Sequence, residues 1–403
     1  MQVLRSYRYK LYRSDKNDVL LKDIEKYSEV YNWCVALYKR YYRIYKKNIN
    51  KYALQKHLTK IKGLYKTEWR DLGSQAIQDI TDRLNRSYTL FFGNLKRKKK
   101  ASPPKFKSRR FYKSFTLKQT GYSLDQDNNE ITINKRRYRY FNSRVFDGKI
   151  KTLTVKRNHK GEIFIIFSVE QEMDFKIGFE TGKIAGFDFG MGTFLVDSEG
   201  RKYASPQYLS NSYNKLQELS RSLSKKKKGS NNRKKAKMRL VSLHEKIVNQ
   251  RNDWQHKMVL QLVKFYDTIF LESLSFLAIQ KGNDLKTKKQ KKGRARKIMD
   301  LAPASFIEKL KYKAAEYGKT VNFINKWFPS SQICSECLCG VGKMSTDIRS
   351  WVCPDCRAVH DRDHNAAKNI LREGTSSLGI GNVRPYLETM KAVTVLKPES
   401  HVL

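Results

Sequence analysis

Acidic residues are scarce in this sequence: 38 Asp and Glu stand against 83 Lys and Arg, a net charge of +45. Such an imbalance excludes a surface tuned for solubility alone, because self-repulsion costs folding energy. A polyanion relieves the repulsion through neutralisation and counterion release, and nucleic acid is the expected one, with an anionic membrane as the rival. Long apolar runs are lacking as well. No segment reads as a spanning helix, and Met1-Gln2-Val3-Leu4-Arg5 does not read as a signal peptide, so no membrane partner is expected and a prokaryotic cytoplasm is. Cysteine is sparse, six residues in 403, which excludes a disulfide framework and fits a reducing compartment. What is present is 39% hydrophobic residues with 20 Phe and 23 Tyr, enough to exclude a disordered chain and to build two or three domains.

Periodicity divides the chain. Residues 2–12 alternate and read as a strand. From Asp18, Leu21, Ile24, Tyr27, Tyr31, Cys34, Tyr38, Tyr41 and Tyr45 recur at helical steps. Further helices are expected at 54–64 and from Ser74, an N-cap candidate, to Leu95. The tyrosines of this block and Cys34 read as core and rim. The basic run 96–107, interleaved with Phe106 and followed by Phe111 and Tyr112, reads as a nucleic-acid contact. Residues 114–172 read as short strands of a small barrel, with a hairpin pairing 150–156 with 163–169. Beyond Lys183 come an apolar strand at 184–190, a return at 194–196, helices at 211–223 and 234–265, and a buried-type strand at 268–272. A basic mobile loop is expected at 277–298, then a helix at 304–317, a strand at 320–324 and a last helix from Asn365. A tail without strong period follows Gly374.

Two sites carry chemistry. Cys334/Cys337 and Cys353/Cys356 form two Cys-x-x-Cys pairs with fifteen residues between them. Two such turns give a tetrahedral set of four thiolates with no open position, so a structural Zn²⁺ is expected. Cys339 reads as a bystander, with an extra ligand as the alternative. The second site is acidic. Phosphodiester hydrolysis by two Mg²⁺ ions about 4 Å apart needs convergent carboxylates. Asp188 ends an apolar strand, Glu272 lies on a later one, and Asp363 precedes a helix; acids in apolar strands are costly unless paired or metal-bound. Asp361 competes with Asp363, and one of the two is expected to cap the helix or bond Arg362.

The segments Gly186-Phe187-Asp188-Phe189-Gly190, Phe270-Leu271-Glu272-Ser273-Leu274 and Asp361-Arg362-Asp363-His364-Asn365-Ala366-Ala367 resemble the three motifs of a RuvC-type nuclease domain. Their order, with a zinc ribbon between the second and third, resembles the TnpB proteins of insertion sequences, compact relatives of type V CRISPR effectors. Pro329-Ser330-Ser331-Gln332, Pro104-Lys105-Phe106 and Lys311-Tyr312-Lys313-Ala314-Ala315 extend the resemblance over nearly the whole chain. Leu338-Cys339-Gly340 departs from it, since the family commonly has glycine directly after the second cysteine.

The resemblance implies a multidomain α+β protein. An RNase H-like (RuvC) α/β domain would span 181–328 and 358–373, with a basic lid at 277–298 and a zinc ribbon at 329–357. A wedge-type β-barrel would span 1–15 and 101–180, a helical recognition lobe would be inserted at 16–100, and 374–403 would be a flexible tail. It also implies Asp188, Glu272 and Asp363 as Mg²⁺ ligands and Cys334, Cys337, Cys353 and Cys356 as zinc ligands. The implied activity is cleavage of both strands of double-stranded DNA beside a short adjacent motif, directed by a noncoding guide RNA, by a monomer in a ribonucleoprotein. The alternatives are a guided DNA-binding repressor of the same family and a structure-specific nuclease without a guide.

Overall fold

A computed structural model describes residues 2–172, 180–274, 279, 287–342, 344–345, 348–379, 387–391 and 394–395. The chain divides into two units, Met1–Asp174 and Phe175–Leu403.

In the first unit β1 (Gln2–Lys10) is followed by α1 (Asn17–Tyr45), α2 (Lys51–Leu64) and α3 (Ser74–Lys96). Six strands come next: β2 (Ser114–Leu117), β3 (Tyr122–Asp125), β4 (Glu130–Ile133), β5 (Arg136–Arg139), β6 (Lys149–Arg157) and β7 (Ile163–Glu172). β1 pairs with β7 along its whole length, in an antiparallel sheet of order β1-β7-β6-β2, and β3-β4-β5 form a second sheet bridged to the first at Leu11 and Tyr140. Inward positions of the strands and the apolar stripes of α1 and α3 share one core, in which Tyr27, Cys34, Phe115 and Phe167 are fully buried. Ser74 is the first helical residue and Gly73 the N-cap, one place earlier than the sequence suggests. Asn32 of α1 bonds both main-chain groups of Lys107 at 2.8 Å, tying down the basic segment, where Phe106 and Phe111 stay exposed.

The second unit is built on a five-stranded sheet of order β10-β9-β8-β11-β12. Its strands are β8 (Ile184–Asp188), β9 (Leu195–Asp197), β10 (Lys202–Tyr203), β11 (Thr268–Glu272) and β12 (Thr320–Ile324). β8, β11 and β12 are parallel, so helices must cross over between them. After α4 (Tyr208–Asn211) and α5 (Tyr213–Ser224), α6 (Asn231–Phe265) joins β10 to β11; α7 (Lys288–Leu301) and α8 (Pro303–Glu316) lie between β11 and β12. Strand alternation assigns the two faces. Ala185, Phe187, Ile269 and Leu271 point into a core with Val259, Leu262 and Val263 of α6 and Phe306 and Leu310 of α8. Gly186 and Asp188, with Phe270 and Glu272, point the other way, toward α9 (Arg362–Ser377).

That second face explains two glycines. A Cβ on Gly186 would fall inside the main chain of Ala367 and Leu371, and one on Gly374 inside the ring of Phe270. The helix presents Asp363, Ala367, Ile370 and Gly374 as one stripe, and it rests on bare backbone of β8.

Three expectations change. Half of the basic segment expected as a loop is helical: Thr287 caps α7, and Thr287 and Gln290 exchange 3.2 Å hydrogen bonds as a capping box. The rest of that expected loop, apart from residue 279, lies outside the described residues up to 286. The last helix begins at Arg362, so Asp363 lies inside its first turn and not before it. Within the expected tail, a strand at Leu387–Lys391 pairs with β13 (Cys339–Val341) and one at Thr394–Val395 with β14 (Ser350–Val352). Runs this short carry too little alternation to be read.

Gly186→Ala is expected to destabilise the protein by about 1–3 kcal/mol, because helix and strand must part. Gly293→Ala, in α7 with open space around its Cα, is expected to stabilise it by up to about 1 kcal/mol. Denaturant melts of both variants check the opposite signs.

Candidate active site and metal centre

Parallel register brings the first two acids together. Phe187 pairs with Leu271, so Asp188 and Glu272 are the next residues of adjacent strands, at the carboxyl edge where open α/β sheets bind ligands. Asp363 joins them from α9. Burial, and then the carboxylates of Glu272 and Asp363, push the Asp188 carboxyl well above its ordinary range. Burial also raises Glu272, although the Ser330 hydroxyl donates to its Oε1. All three acids are half-buried and retain access to solvent. Arg349 Nη1 lies 3.1 Å from both oxygens of Asp363.

Asp361 takes the capping role. Its Oδ1 accepts from the main-chain N–H groups of Asp363 at 3.0 Å and His364 at 3.1 Å, and its Oδ2 meets Lys202 Nζ at 2.7 Å. These bonds hold its carboxyl below the ordinary range against burial. Asp197, the last residue of β9, is fully buried and accepts from Tyr266 Oη at 2.8 Å and Tyr203 Oη at 3.1 Å, besides two main-chain N–H groups. With its oxygens satisfied it is a structural acid.

The four thiols converge. Cys334, Cys337, Cys353 and Cys356 have Sγ atoms all within 4.8 Å of one another. The Cys334–Cys356 and Cys337–Cys353 separations are 3.7 and 3.6 Å. A tetrahedral ion with Zn–S bonds of about 2.3 Å requires about 3.8 Å between sulfurs, so the set fits zinc. Burial pushes the Cys337 thiol up to about 11 and Cys334 higher, which an ion in place of the protons would reverse. Cys339 lies outside the set. In each knuckle the residue after the second cysteine turns left-handed: Leu338 at φ +65° and Arg357 at φ +62°. Leucine therefore occupies the backbone position that favours glycine.

A polar relay joins this ribbon to α9. Asn369 Nδ2 donates to the carbonyls of Ser330 at 2.8 Å and Ile333 at 2.7 Å. Asn365 Nδ2 donates to Ile333 O at 2.7 Å, and its Oδ1 accepts from Ser335 N at 2.8 Å. The loop carrying Cys334 and Ser330 is thus fixed to the helix carrying Asp363. His360 Nε2 lies 3.1 Å from Cys334 Sγ. Sequence reading missed Ser330, Arg349, Asn365, Asn369 and His360 as partners. The four-residue spacing of the two asparagines puts them on one helix face and could have exposed them; Arg349 carries no local signal.

Among known proteins, a family model described as "Cas12f1-like, TNB domain" matches residues 304–370, and one described as "Probable transposase" matches 167–282. A curated "Putative RNA-guided DNA endonuclease" of Streptomyces pristinaespiralis is 29% identical, covering 97% of this chain and 94% of that protein. The "Putative RNA-guided DNA endonuclease InsQ" of Escherichia coli K12 is 29% identical over 81% of each. The Cas12f1 chain of a cryo-EM complex with sgRNA and target DNA shares the fold at 14% identity, with a TM-score of 0.54 over 92% of this chain and 98% of that one.

One zinc per chain is expected by elemental analysis, with Cys353→Ala losing both the zinc and the cooperative melting of the ribbon. Metal-free stability should also depend on Asp188. Its carboxyl keeps its proton to higher pH in the fold than when unfolded, so ionisation destabilises the fold as pH rises through the folded value, and acidification restores the loss. Asp188→Asn is expected to raise the metal-free Tm at pH 7 by about 2–4 °C and to flatten this slope. Calorimetry without Mg²⁺ checks both.

Proposed function

This chain belongs to the TnpB family, and from that premise we propose that it is an RNA-guided DNA endonuclease. The observation that carries the reading is the convergence of three carboxylates, Asp188 and Glu272 on adjacent parallel strands and Asp363 on α9, in a chain of net charge +45; burial and then the two neighbouring carboxylates raise the Asp188 pKa. Carboxylates gathered at a strand edge, in a chain with cationic side chains in excess, suit the holding of metal cations. Asp188, Glu272 and Asp363 are the proposed Mg²⁺ ligands. When bound, the ions supply an activated water and stabilise the leaving oxygen.

The remaining roles belong to the chain. Asp188 and Glu272 offer oxygens from the rigid sheet, and Asp363 offers its own from α9. The Ser330 hydroxyl orients Glu272. Arg349 neutralises Asp363 until a cation competes for it. The zinc ribbon, through Asn365 and Asn369, fixes the position of Ser330 and of the helix.

The finer reading follows the family. Residues 1–15 and 101–180 form the wedge-type barrel and 16–100 the recognition lobe, gripping an RNA–DNA duplex by its backbone, as dispersed positive charge suits. The guide is a noncoding RNA from the element. The target is double-stranded DNA beside a short motif, with both strands cut by one copy of the chain in its ribonucleoprotein.

Sequencing of the RNA that copurifies with the protein, expressed with its native flanking DNA, tests the guided reading. One discrete species running into flanking sequence is expected; only heterogeneous host RNA after a high-salt wash would count against a guide. With that RNA, wild type is expected to cut a matched plasmid in Mg²⁺. Asp188→Ala should cut at background level while binding the target nearly as well, and a comparable loss of binding in a gel shift would remove Asp188 from the catalytic set.

A further inference from the structure

The loop from β12 into the zinc ribbon carries Asn325-Lys326-Trp327-Phe328-Pro329-Ser330. Trp327 is 82% exposed, whereas Trp69 and Trp351 are buried and Trp33 and Trp254 half-buried. The ring stands on a fixed backbone. Asn325 Oδ1 accepts from Trp327 N at 3.0 Å, Asn325 O from Phe328 N at 3.2 Å, and Phe328 O from Ser330 N at 3.0 Å. The next side chain, Phe328, packs against an apolar cluster of Phe270, Ile324 and Ile370, beneath the acidic edge of the sheet. Three residues on, Ser330 holds Glu272, and three residues of chain reach at most about 11 Å. Lys326 Nζ lies 4.5 Å from the indole centroid.

We propose that Trp327 is a stacking platform for a base of the single strand whose phosphate lies at Asp188, Glu272 and Asp363. The inference rests on the reading of those carboxylates as a phosphodiester-cutting centre. An exposed indole on an anchored backbone offers a π-face that any base can cover, and the backbone has little ordering entropy left to lose on binding. Lys326 beside it supplies the positive charge that a strand's phosphates need. A platform beside the carboxylates positions the strand without reading its sequence, as a nuclease directed by base pairing requires.

Tryptophan fluorescence of the full-length protein, with its bound RNA, titrated with oligothymidylate tests this. The titration is run without added Mg²⁺, so no cleavage is needed, and at raised salt, which suppresses electrostatic binding elsewhere. Quenching is expected for wild type and should vanish in Trp327→Phe, which keeps a ring and most of the affinity. Trp327→Ala should bind about 5- to 100-fold more weakly and, in Mg²⁺, raise KM for cleavage of a guide-matched target with kcat unchanged. Equal quenching in wild type and Trp327→Phe, or equal affinity in wild type and Trp327→Ala, overturns the platform. Quenching as expected from a wild type that never cuts guide-matched DNA in Mg²⁺ overturns the nuclease reading and leaves the stacking site standing.

Discussion

The acidic site depends on how closely one helix can approach one strand. α9 lies against the main chain of β8 because Gly186 has no side chain, and it is seated further along by Gly374 over Phe270. Strand alternation puts Asp188 on the face that Gly186 opens and Glu272 on the face that Phe270 occupies. The helical stripe that begins at Asp363 is laid on those same positions. Any added bulk at Gly186 would lift Asp363 away from two carboxylates on strands whose register is already fixed. The glycine therefore sets the site's dimensions, although it offers no ligand.

Charge is handled differently inside and outside this site. Several acids elsewhere in the second unit meet cations: Lys202 meets Asp361, Lys368 meets Glu336, and buried Lys319 meets Asp267. Exposed pairs of this kind contribute about 0–1 kcal/mol. At the strand edge the compensation is incomplete. Arg349 reaches Asp363, but Asp188 faces two carboxylates with a net push against ionisation. In a chain with more than twice as many cationic as anionic side chains, supplying one more lysine would have been easy. Three convergent carboxylates, with Arg349 in ion-pair contact with Asp363 and none with Asp188 or Glu272 among the described residues, mark the site.

Much of this was legible in the sequence. The strands bearing Asp188 and Glu272 announced themselves by apolar runs ending in an acid, and the thiol set by its spacing. The doubt over Asp361 and Asp363 turned on which acid caps the helix, and main-chain N–H groups that point at Asp361 resolve that geometry. What stayed hidden was tertiary. Ser330 meets Glu272 across 58 residues of chain and Asn369 meets Ser330 across 39, pairings that no local pattern encodes. The helix at Lys288–Leu301 shows no apolar stripe among its lysines, so the segment 277–298 resembles a loop, and the Thr287/Gln290 capping box is its one local signal. Leu338 shows the converse: a sequence that lacks the usual glycine still adopts the left-handed turn, because two backbone hydrogen bonds and the thiol set impose it.

The bare backbone of β8 also sets an order of events during synthesis. The strip at Gly186 emerges from the ribosome about 175 residues before Asp363 does, and contacts this distant in sequence form late and slowly. Until α9 arrives, Phe270 and the acidic edge lack their cover, and the three carboxylates are not yet assembled. A nascent chain thus carries its strongly basic first unit well before it possesses the completed acidic centre. Assembly of that centre waits for translation through α9, so a ribosome that stalls upstream of residue 363 leaves a chain with its basic first unit and without the full site.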